Sequence, residues 1–129
     1  EGRVIALKDI AAPMFVIGTE TDHIAPWESV YKTKLFTDCD LTFVLTKGGH
    51  NGGILSEPGH PRRHYRISHR PAGALYVGPG AWHLQQQVKD GSWWLEWAQW
   101  LVANSSGTRP LPAMADAICA APGSYVLQS

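Results

Sequence analysis

The chain has 129 residues, of which 44% are apolar and 17% are charged, and its 11 basic residues balance its 11 acidic residues. This composition is typical of a globular protein, and the length allows one sizeable hydrophobic core but not two, so residues 1–129 are expected to form part or all of one domain. The zero net charge gives no sign of the basic face that nucleic-acid binding needs. No apolar run approaches the roughly 18 residues of a membrane span.

The first half of the chain predicts a strand, a helix and a second strand. Residues 14–17 form a continuous apolar run that ends at Gly18, which is typical of a strand buried on both faces of a parallel sheet. Pro26 predicts the first turn of a helix that continues to about Phe36. Residues 41–46 predict the second strand. Strand, helix and strand within about 35 residues indicate one right-handed βαβ unit.

The second half is less regular. Residues 56–80 contain four prolines and are interpreted as an irregular surface excursion, with one short strand at 74–77. Residues 92–102 predict a helix, and a last short strand is expected at 124–127. One stripe of the helix is expected to pack on the sheet; it consists of Trp93, Trp97, Trp100 and Leu101.

Two residues, Asp22 and His50, are the candidate catalytic groups. Each lies on a loop that follows a predicted strand, and functional groups of parallel sheets gather beyond the carboxyl ends of the strands. An acid and a histidine on adjacent loops are two members of a nucleophile–His–Asp relay. The flanking glycines would let an acyl group approach the backbone closely; they are Gly48, Gly49, Gly52 and Gly53. The alternative is that Asp22 caps a helix and that the glycine-rich segment is only a turn.

The nucleophile of such a relay is not visible, because neither G-x-S-x-G nor G-x-C-x-G occurs. Cys119 lacks the flanking glycines, and Cys39 is expected in the turn at the opposite end of the strands from Asp22 and His50, so we expect both thiols to be inert. They form neither a disulfide framework nor a C-x-x-C zinc motif, which indicates a reducing, cytoplasmic compartment.

Other candidate sites are weaker. His60, His64 and His69 suggest a metal site, but Pro61 disrupts the helix that would bring two of them together, so no metal is expected. The basic segment 60–70 could meet the phosphates of a nucleotide-like substrate, although a solvated loop is favoured. Trp94, off the apolar stripe, could be an exposed contact for an apolar polymer or a partner. Neither a G-x-G-x-x-G motif nor a P-loop occurs, so no dinucleotide or ATP is predicted.

Beyond these features, the chain resembles the carboxyl-terminal part of a poly(3-hydroxyalkanoate) synthase in four segments: GTETDHIAPWESVYKT, FVLTKGGHNGGILSEPG, DGSWWLEWAQWLVANSSG and APGSYVLQ. The segments occur in the family's order, and the resemblance covers almost the whole chain. The separation of Asp22 and His50, 50 − 22 = 28 residues, also suits the family.

The resemblance implies a partial α/β-hydrolase fold, made of the last parallel strands of the sheet with flanking helices. It implies an acyltransferase that polymerises (R)-3-hydroxyacyl-coenzyme A with release of coenzyme A, with Asp22 and His50 as the catalytic acid and histidine. The coenzyme A thioester is then a substrate, and no cofactor is expected. The family's cysteine nucleophile lies in a G-x-C-x-G elbow that is absent here, so the chain is expected to be the carboxyl-terminal portion of a catalytic domain and inactive alone.

The resemblance also implies partners and a location. The partners are the growing polyester, the remainder of the catalytic domain and, as a homodimer, a second copy of the chain; the location is the cytoplasm at the polyester granule surface. Without its neighbouring strand, the first strand would present a bare edge, which we expect to be covered by the chain's own residues or by a second copy.

Three questions remain open at this point. Asp22 either orients His50 or helps to activate the 3-hydroxyl of the incoming unit. The runner-up function is an esterase or thioesterase with the same core. A third interpretation makes the chain a module that docks on a granule or a partner subunit, and it requires Trp94 to be exposed within a large apolar patch.

Overall fold

The computed structural model describes residues 2, 4–113 and 115–128, and a four-stranded sheet lies at the centre of this part of the chain. The strands follow the order in which they occur: β1 (Met14–Thr19), β2 (Leu41–Thr46), β3 (His64–Arg70) and β4 (Lys89–Asp90). β1 and β2 are parallel, whereas β3 is antiparallel to β2 and β4 is antiparallel to β3. The architecture is therefore a mixed α/β sheet, and the expectation that all its strands would be parallel is wrong for β3 and β4.

The helices are short except for the last. They are α1 (Trp27–Tyr31), α2 (Thr33–Phe36), α3 (Pro79–Gln85) and α4 (Trp94–Ala103), with 3-10 turns at Leu7–Asp9 and Tyr125–Leu127. None of the helices in the described part of the chain is long and apolar enough to cross a membrane.

The predicted strand–helix–strand unit is present. β1 and β2 pair in parallel from Met14 opposite Leu41 onward. The helix between them is in the expected place but is broken at Lys32 into α1 and α2. At the break the backbone forms 3-10-type hydrogen bonds between residues three apart. The Lys32 N–H donates to the Ser29 carbonyl, and the Leu35 N–H donates to the Lys32 carbonyl.

The core lies on both faces of β2, every residue of which is buried. Side chains of a strand alternate between the two faces, and here Phe43 and its neighbours on one face contact Tyr31 and Trp82 of the α1 and α3 side. On the other face Val44 packs with Tyr65 and with Trp93, which precedes α4. Residues 41–46 thus form the predicted second strand, and it is covered on both faces. Burial on both faces was the prediction for residues 14–17, which are only partly buried.

The segment that looked irregular contains β3, and this is the main correction to the predicted elements. Tyr65 and Ile67 point to the cluster around Trp93, while the alternate residue Arg66 forms an ion pair with Glu20 at 2.9 Å. Arg70 donates hydrogen bonds to backbone carbonyls before β2. Arg66 and Arg70 are therefore bonded to protein groups on a strand, whereas Arg62 and His69 are exposed.

Two smaller predictions are also wrong. Residues 74–77 form no strand and lead into α3, and residues 124–127 contain a 3-10 turn with exposed side chains instead of a strand.

The sheet ends at β1, whose outer edge pairs with no other strand among the described residues. A bare edge at this strand was expected, and its residues 14–17 are only partly buried. Covering of that edge by the chain's own strands is not seen within the described ranges. Covering by a second copy stays a prediction.

Candidate active site

Asp22 follows β1 and lies in the turn that leads to α1. Its Oδ1 accepts hydrogen bonds from the backbone N–H groups of Ile24 and Ala25, each at 2.9 Å. The side chain is only 7% exposed. One carboxylate oxygen thus stabilises the turn before the helix. It does not cap α1, because the N-cap residue is Pro26 and no side chain forms a hydrogen bond there, so the capping alternative is wrong.

The second carboxylate oxygen reaches the other loop. Asp22 Oδ2 lies 2.9 Å from His50 Nδ1, so the two loops meet as expected. A carboxylate can only accept, so Nδ1 carries the hydrogen in this bond. In the neutral ring Nε2 is then unprotonated, and the His50 side chain is 46% exposed. The pair therefore has the tautomer that a proton acceptor needs, next to solvent.

The acid of this pair is held in its ionised form. The N–H of Ala25, together with the His50 ring and the N–H of Ile24, lowers the pKa of Asp22 from 3.8 to about 2, although burial acts in the opposite direction. Hydrogen bonds donated to a carboxylate favour its charged form. Asp22 is consequently a permanent negative partner for the imidazole at neutral pH.

The two loops are also joined through their backbones. The N–H of Thr21 donates to the Gly48 carbonyl at 3.0 Å. Gly48 has a φ of +127°, and a Cβ there would lie 2.8 Å from the Gly53 backbone. A Cβ on Gly53 would lie 2.4 Å from Thr19 Cγ2. At these two positions the absence of a side chain is explained by the closure of the loop on itself and on β1, and not by space for a substrate.

A second acid–histidine pair lies at the same end of the sheet, and it was not predicted from the sequence. His64 Nε2 is 3.1 Å from both oxygens of Glu20, and Arg66 donates to Glu20 Oε1 at 2.9 Å. The signal that could have found it is the alternation of apolar and basic residues along β3, which places His64 and Arg66 on one face.

The remaining candidates lie apart from the Asp22–His50 pair or have other roles. Cys39 is buried in the turn before β2, so it lies at the opposite end of the strands. Cys119 is exposed. The histidines 60, 64 and 69 do not converge: within the described ranges no group of three potential metal ligands exists. Trp94 is partly buried and its indole N–H donates to the Ile54 carbonyl at 2.9 Å, which counts against a freely exposed docking side chain.

Fold and site together define a class, a mixed α/β protein with a hydrogen-bonded Asp–His pair beyond the carboxyl ends of its two parallel strands. No family model matches the chain. It is 33% identical to poly(3-hydroxyalkanoate) polymerase 2 of Ectopseudomonas oleovorans over 98% of its own length and 23% of that protein. It is also 33% identical to the poly(3-hydroxyalkanoate) polymerase subunit PhaC of Cupriavidus necator over 97% of its length and 21% of that protein.

A third curated relative, the polymerase subunit PhaC of Rhizobium etli, shows the same 33% identity over 99% of this chain and 20% of its own length. The resemblance that the motifs predicted is confirmed: the chain is a relative of poly(3-hydroxyalkanoate) polymerases. It spans about a fifth of the length of the relatives it matches.

Proposed function

We propose that this chain is the segment of a polyester-forming acyltransferase that supplies the acid and the histidine of the active site, on a framework of the α/β-hydrolase type. The observation that carries the proposal is the 2.9 Å bond between Asp22 Oδ2 and His50 Nδ1. It occurs in a chain that is similar along nearly its whole length to poly(3-hydroxyalkanoate) polymerases. The parallel pairing of β1 with β2, with both residues beyond the carboxyl ends, supports the proposed framework.

In the proposed reaction His50 moves protons and Asp22 holds it in position. Nε2 of His50 accepts the proton of a cysteine thiol from another part of the enzyme, and the sulfur attacks the carbonyl carbon of (R)-3-hydroxyacyl-coenzyme A. The bond to the coenzyme A sulfur breaks, and coenzyme A leaves with that proton. The 3-hydroxyl of a second unit then attacks the enzyme thioester, which lengthens the polyester and returns a proton to the cysteine.

The geometry favours the orienting role for Asp22 over direct activation of the substrate hydroxyl. Oδ1 already accepts two backbone N–H groups and Oδ2 accepts the His50 ring. A carboxylate engaged in this way fixes the imidazole's tautomer and stabilises the imidazolium that forms during proton transfer.

The proposal extends to substrates and surroundings. The substrate is a coenzyme A thioester, no separate cofactor takes part, and the product is the polyester that gives the relatives their name. The 129 residues contain no G-x-C-x-G elbow, so we propose that the chain is the carboxyl-terminal portion of the catalytic domain and is inactive without the remainder. The whole enzyme is proposed to work as a homodimer at a polyester granule in the cytoplasm.

The test measures coenzyme A release and polymer formation by the whole enzyme, with His50→Gln compared with the wild type. We expect turnover to fall by about 10³-fold or more, because the proton acceptor is lost. His69→Gln is the matched control, since His69 is exposed and lies at the other end of β3. Near-normal turnover in His50→Gln would contradict the proposal. Release of free hydroxy acid without chain growth would identify an esterase or thioesterase.

A further inference from the structure

The loop that carries His50, residues 47–56, is tied across its two ends by one side chain. Arg63 Nη1 donates to the Lys47 carbonyl at 3.2 Å, and Arg63 Nη2 donates to the Leu55 carbonyl at 3.1 Å. A planar guanidinium can donate in two directions from a fixed fork, which a lysine cannot do. Arg63 therefore bridges the point where the chain enters the loop and the point where it leaves.

The exit of the same loop is held by the segment that begins α4. The indole N–H of Trp93 donates to the Gly53 carbonyl at 3.2 Å and that of Trp94 to the Ile54 carbonyl at 2.9 Å. The Ser92 hydroxyl donates to the Ser56 carbonyl. With the Arg63 bond to Leu55, four successive carbonyls each accept a different side-chain donor. Carbonyls of a surface loop can instead be satisfied by water.

The held carbonyls are connected to His50 through the loop's own hydrogen bonds. The Gly53 N–H donates to the Gly49 carbonyl at 3.0 Å, and the N–H groups of Ile54 and Leu55 both donate to the Asn51 carbonyl at 3.1 Å. Gly49 and Asn51, on either side of His50, are thus hydrogen-bonded to residues 53–55, which include the two residues whose carbonyls accept from the tryptophans. A displacement of residues 53–55 would be transmitted directly to the backbone that carries the imidazole.

We propose that Ser92, Trp93, Trp94 and Arg63 are positioning residues that hold the His50 ring against Asp22. As far as catalysis is concerned, the inference rests on the proposed function. In this inference the Ser-Trp-Trp motif acts through its two indole N–H donors. That role differs both from packing in the core and from contact with a polymer. Active-site groups need such support, since a misplacement of about 1 Å can cost 10²-fold in rate.

The variant that isolates this role is Trp94→Phe, which keeps an aromatic ring and removes the indole N–H. Trp97→Phe is the matched control: it makes the same change on the same helix, and no hydrogen bond from the Trp97 indole is present within the described ranges. Arg63→Lys is the second variant, because it keeps the charge but cannot bridge Lys47 and Leu55 together. Thermal unfolding of all three verifies that each remains folded.

The first measurement is nitrogen-15 NMR of the whole protein with labelled histidine. In the wild type we expect one His50 tautomer with the hydrogen on Nδ1 and slow exchange of that hydrogen with water. Trp94→Phe and Arg63→Lys should speed the exchange by about 10-fold, whereas Trp97→Phe should leave it unchanged. Unchanged exchange in both Trp94→Phe and Arg63→Lys would overturn the inference.

The second measurement is steady-state kinetics of the whole enzyme. A positioning defect lowers kcat by about 10-fold in Trp94→Phe while KM stays within about two-fold, because substrate binding is not altered. A fall in kcat of the same size in Trp97→Phe would show a general structural effect and overturn the inference. If the NMR exchange changes as expected while neither Trp94→Phe nor Asp22→Asn loses turnover, positioning stands and the proposed function fails.

Discussion

Two acid–histidine pairs lie at the same end of the sheet, near the carboxyl ends of β1 and β2, and their hydrogen bonds differ. In the Asp22–His50 pair the acid is almost buried, the histidine uses Nδ1, and the His50 side chain is 46% exposed. In the Glu20–His64 pair the histidine uses Nε2, contacts both carboxylate oxygens and is only 28% exposed.

The difference lies in what else each acid does. Glu20 is also bound by Arg66, so its charge is shared between two donors on β3, and it connects the end of β1 to β3 across β2. Asp22 accepts hydrogen bonds from two backbone N–H groups of its own loop through Oδ1, and it contacts one imidazole through Oδ2. The two pairs have similar bond lengths but different surroundings: Asp22–His50 leaves Nε2 of the ring free of its acid, and Glu20–His64 connects the end of β1 to β3.

The sharpest test of this comparison is Asp22→Asn against Glu20→Gln in the whole enzyme. Asp22→Asn should lower turnover by about 10⁴-fold, because the amide no longer enforces the correct tautomer or stabilises the imidazolium. Glu20→Gln should retain turnover within a few-fold. Coenzyme A release measures both. Equal losses in the two variants would show that the pairs share one function.

A buried cation with no carboxylate partner among the described residues extends the comparison. Lys34 Nζ lies 4.3 Å from the centre of the Tyr31 ring and 3.4 Å from Ser68 Oγ. Burial, with the nearby Arg70 charge, lowers the pKa of Lys34 from 10.5 to about 8. Between about pH 8 and pH 10, Lys34 is protonated in the unfolded chain and largely deprotonated in the folded chain. The free energy of unfolding should therefore rise with pH over this range.

The measurement is urea unfolding of the wild type and Lys34→Met across that pH range. Below pH 8 the variant should be more stable by about 1–2 kcal/mol, since it has no buried charge, and the gap should narrow as the pH rises. A constant gap between pH 7 and 10 would contradict the lowered pKa.

The contacts of Glu20 with β3 should cost less to remove. Glu20→Gln leaves Arg66 and His64 without their acid, and because all three side chains are partly exposed, we expect a loss of about 1 kcal/mol in the free energy of unfolding. His69→Gln is the control, because its 3.9 Å contact with Asp40 is between two exposed side chains. Urea unfolding at neutral pH compares them, and equal stabilities would show that the contacts of Glu20 with β3 do not stabilise the fold.

The smallest expected effect is the acid dependence of Asp22. Its pKa is lowered to about 2, so the ionised carboxylate is favoured in the folded state. The stabilisation is present above the ordinary value of 3.8 and is lost as the pH falls toward 2. The difference in stability between the wild type and Asp22→Asn should therefore shrink between about pH 4 and pH 2 in acid unfolding. A difference that stays constant over this range would mean that the hydrogen bonds of Asp22 do not lower its pKa.

The elements around the Asp22–His50 pair were predictable because their signals are local. Residues 41–46 combine apolar residues with two β-branched threonines, which favours a strand, and Pro26 marks where the chain turns into α1. The position of Asp22 and His50 after two such strands was enough to predict that they meet.

β3 was not predictable in the same way, because its stabilisation comes from distant residues. Only Tyr65 and Ile67 of its seven residues are strongly apolar, whereas Arg66 and Arg70 find their partners in Glu20 and in carbonyls before β2. A basic strand looks like a solvated loop until those acceptors are known. The hydrogen bonds from Trp93 and Trp94 to the His50 loop could not be predicted for the same reason, since their acceptors lie 40 residues away in the sequence.

The place of β1 at the end of the described sheet has a consequence for local opening. Successive amides of a strand face opposite edges, so about half of the β1 amides have no strand opposite them, whereas β2 is enclosed by β1 and β3. Hydrogen exchange should therefore be slowest in β2 and faster along β1. Within this 129-residue chain, we therefore expect the backbone that leads to Asp22 to exchange faster than the backbone that leads to His50.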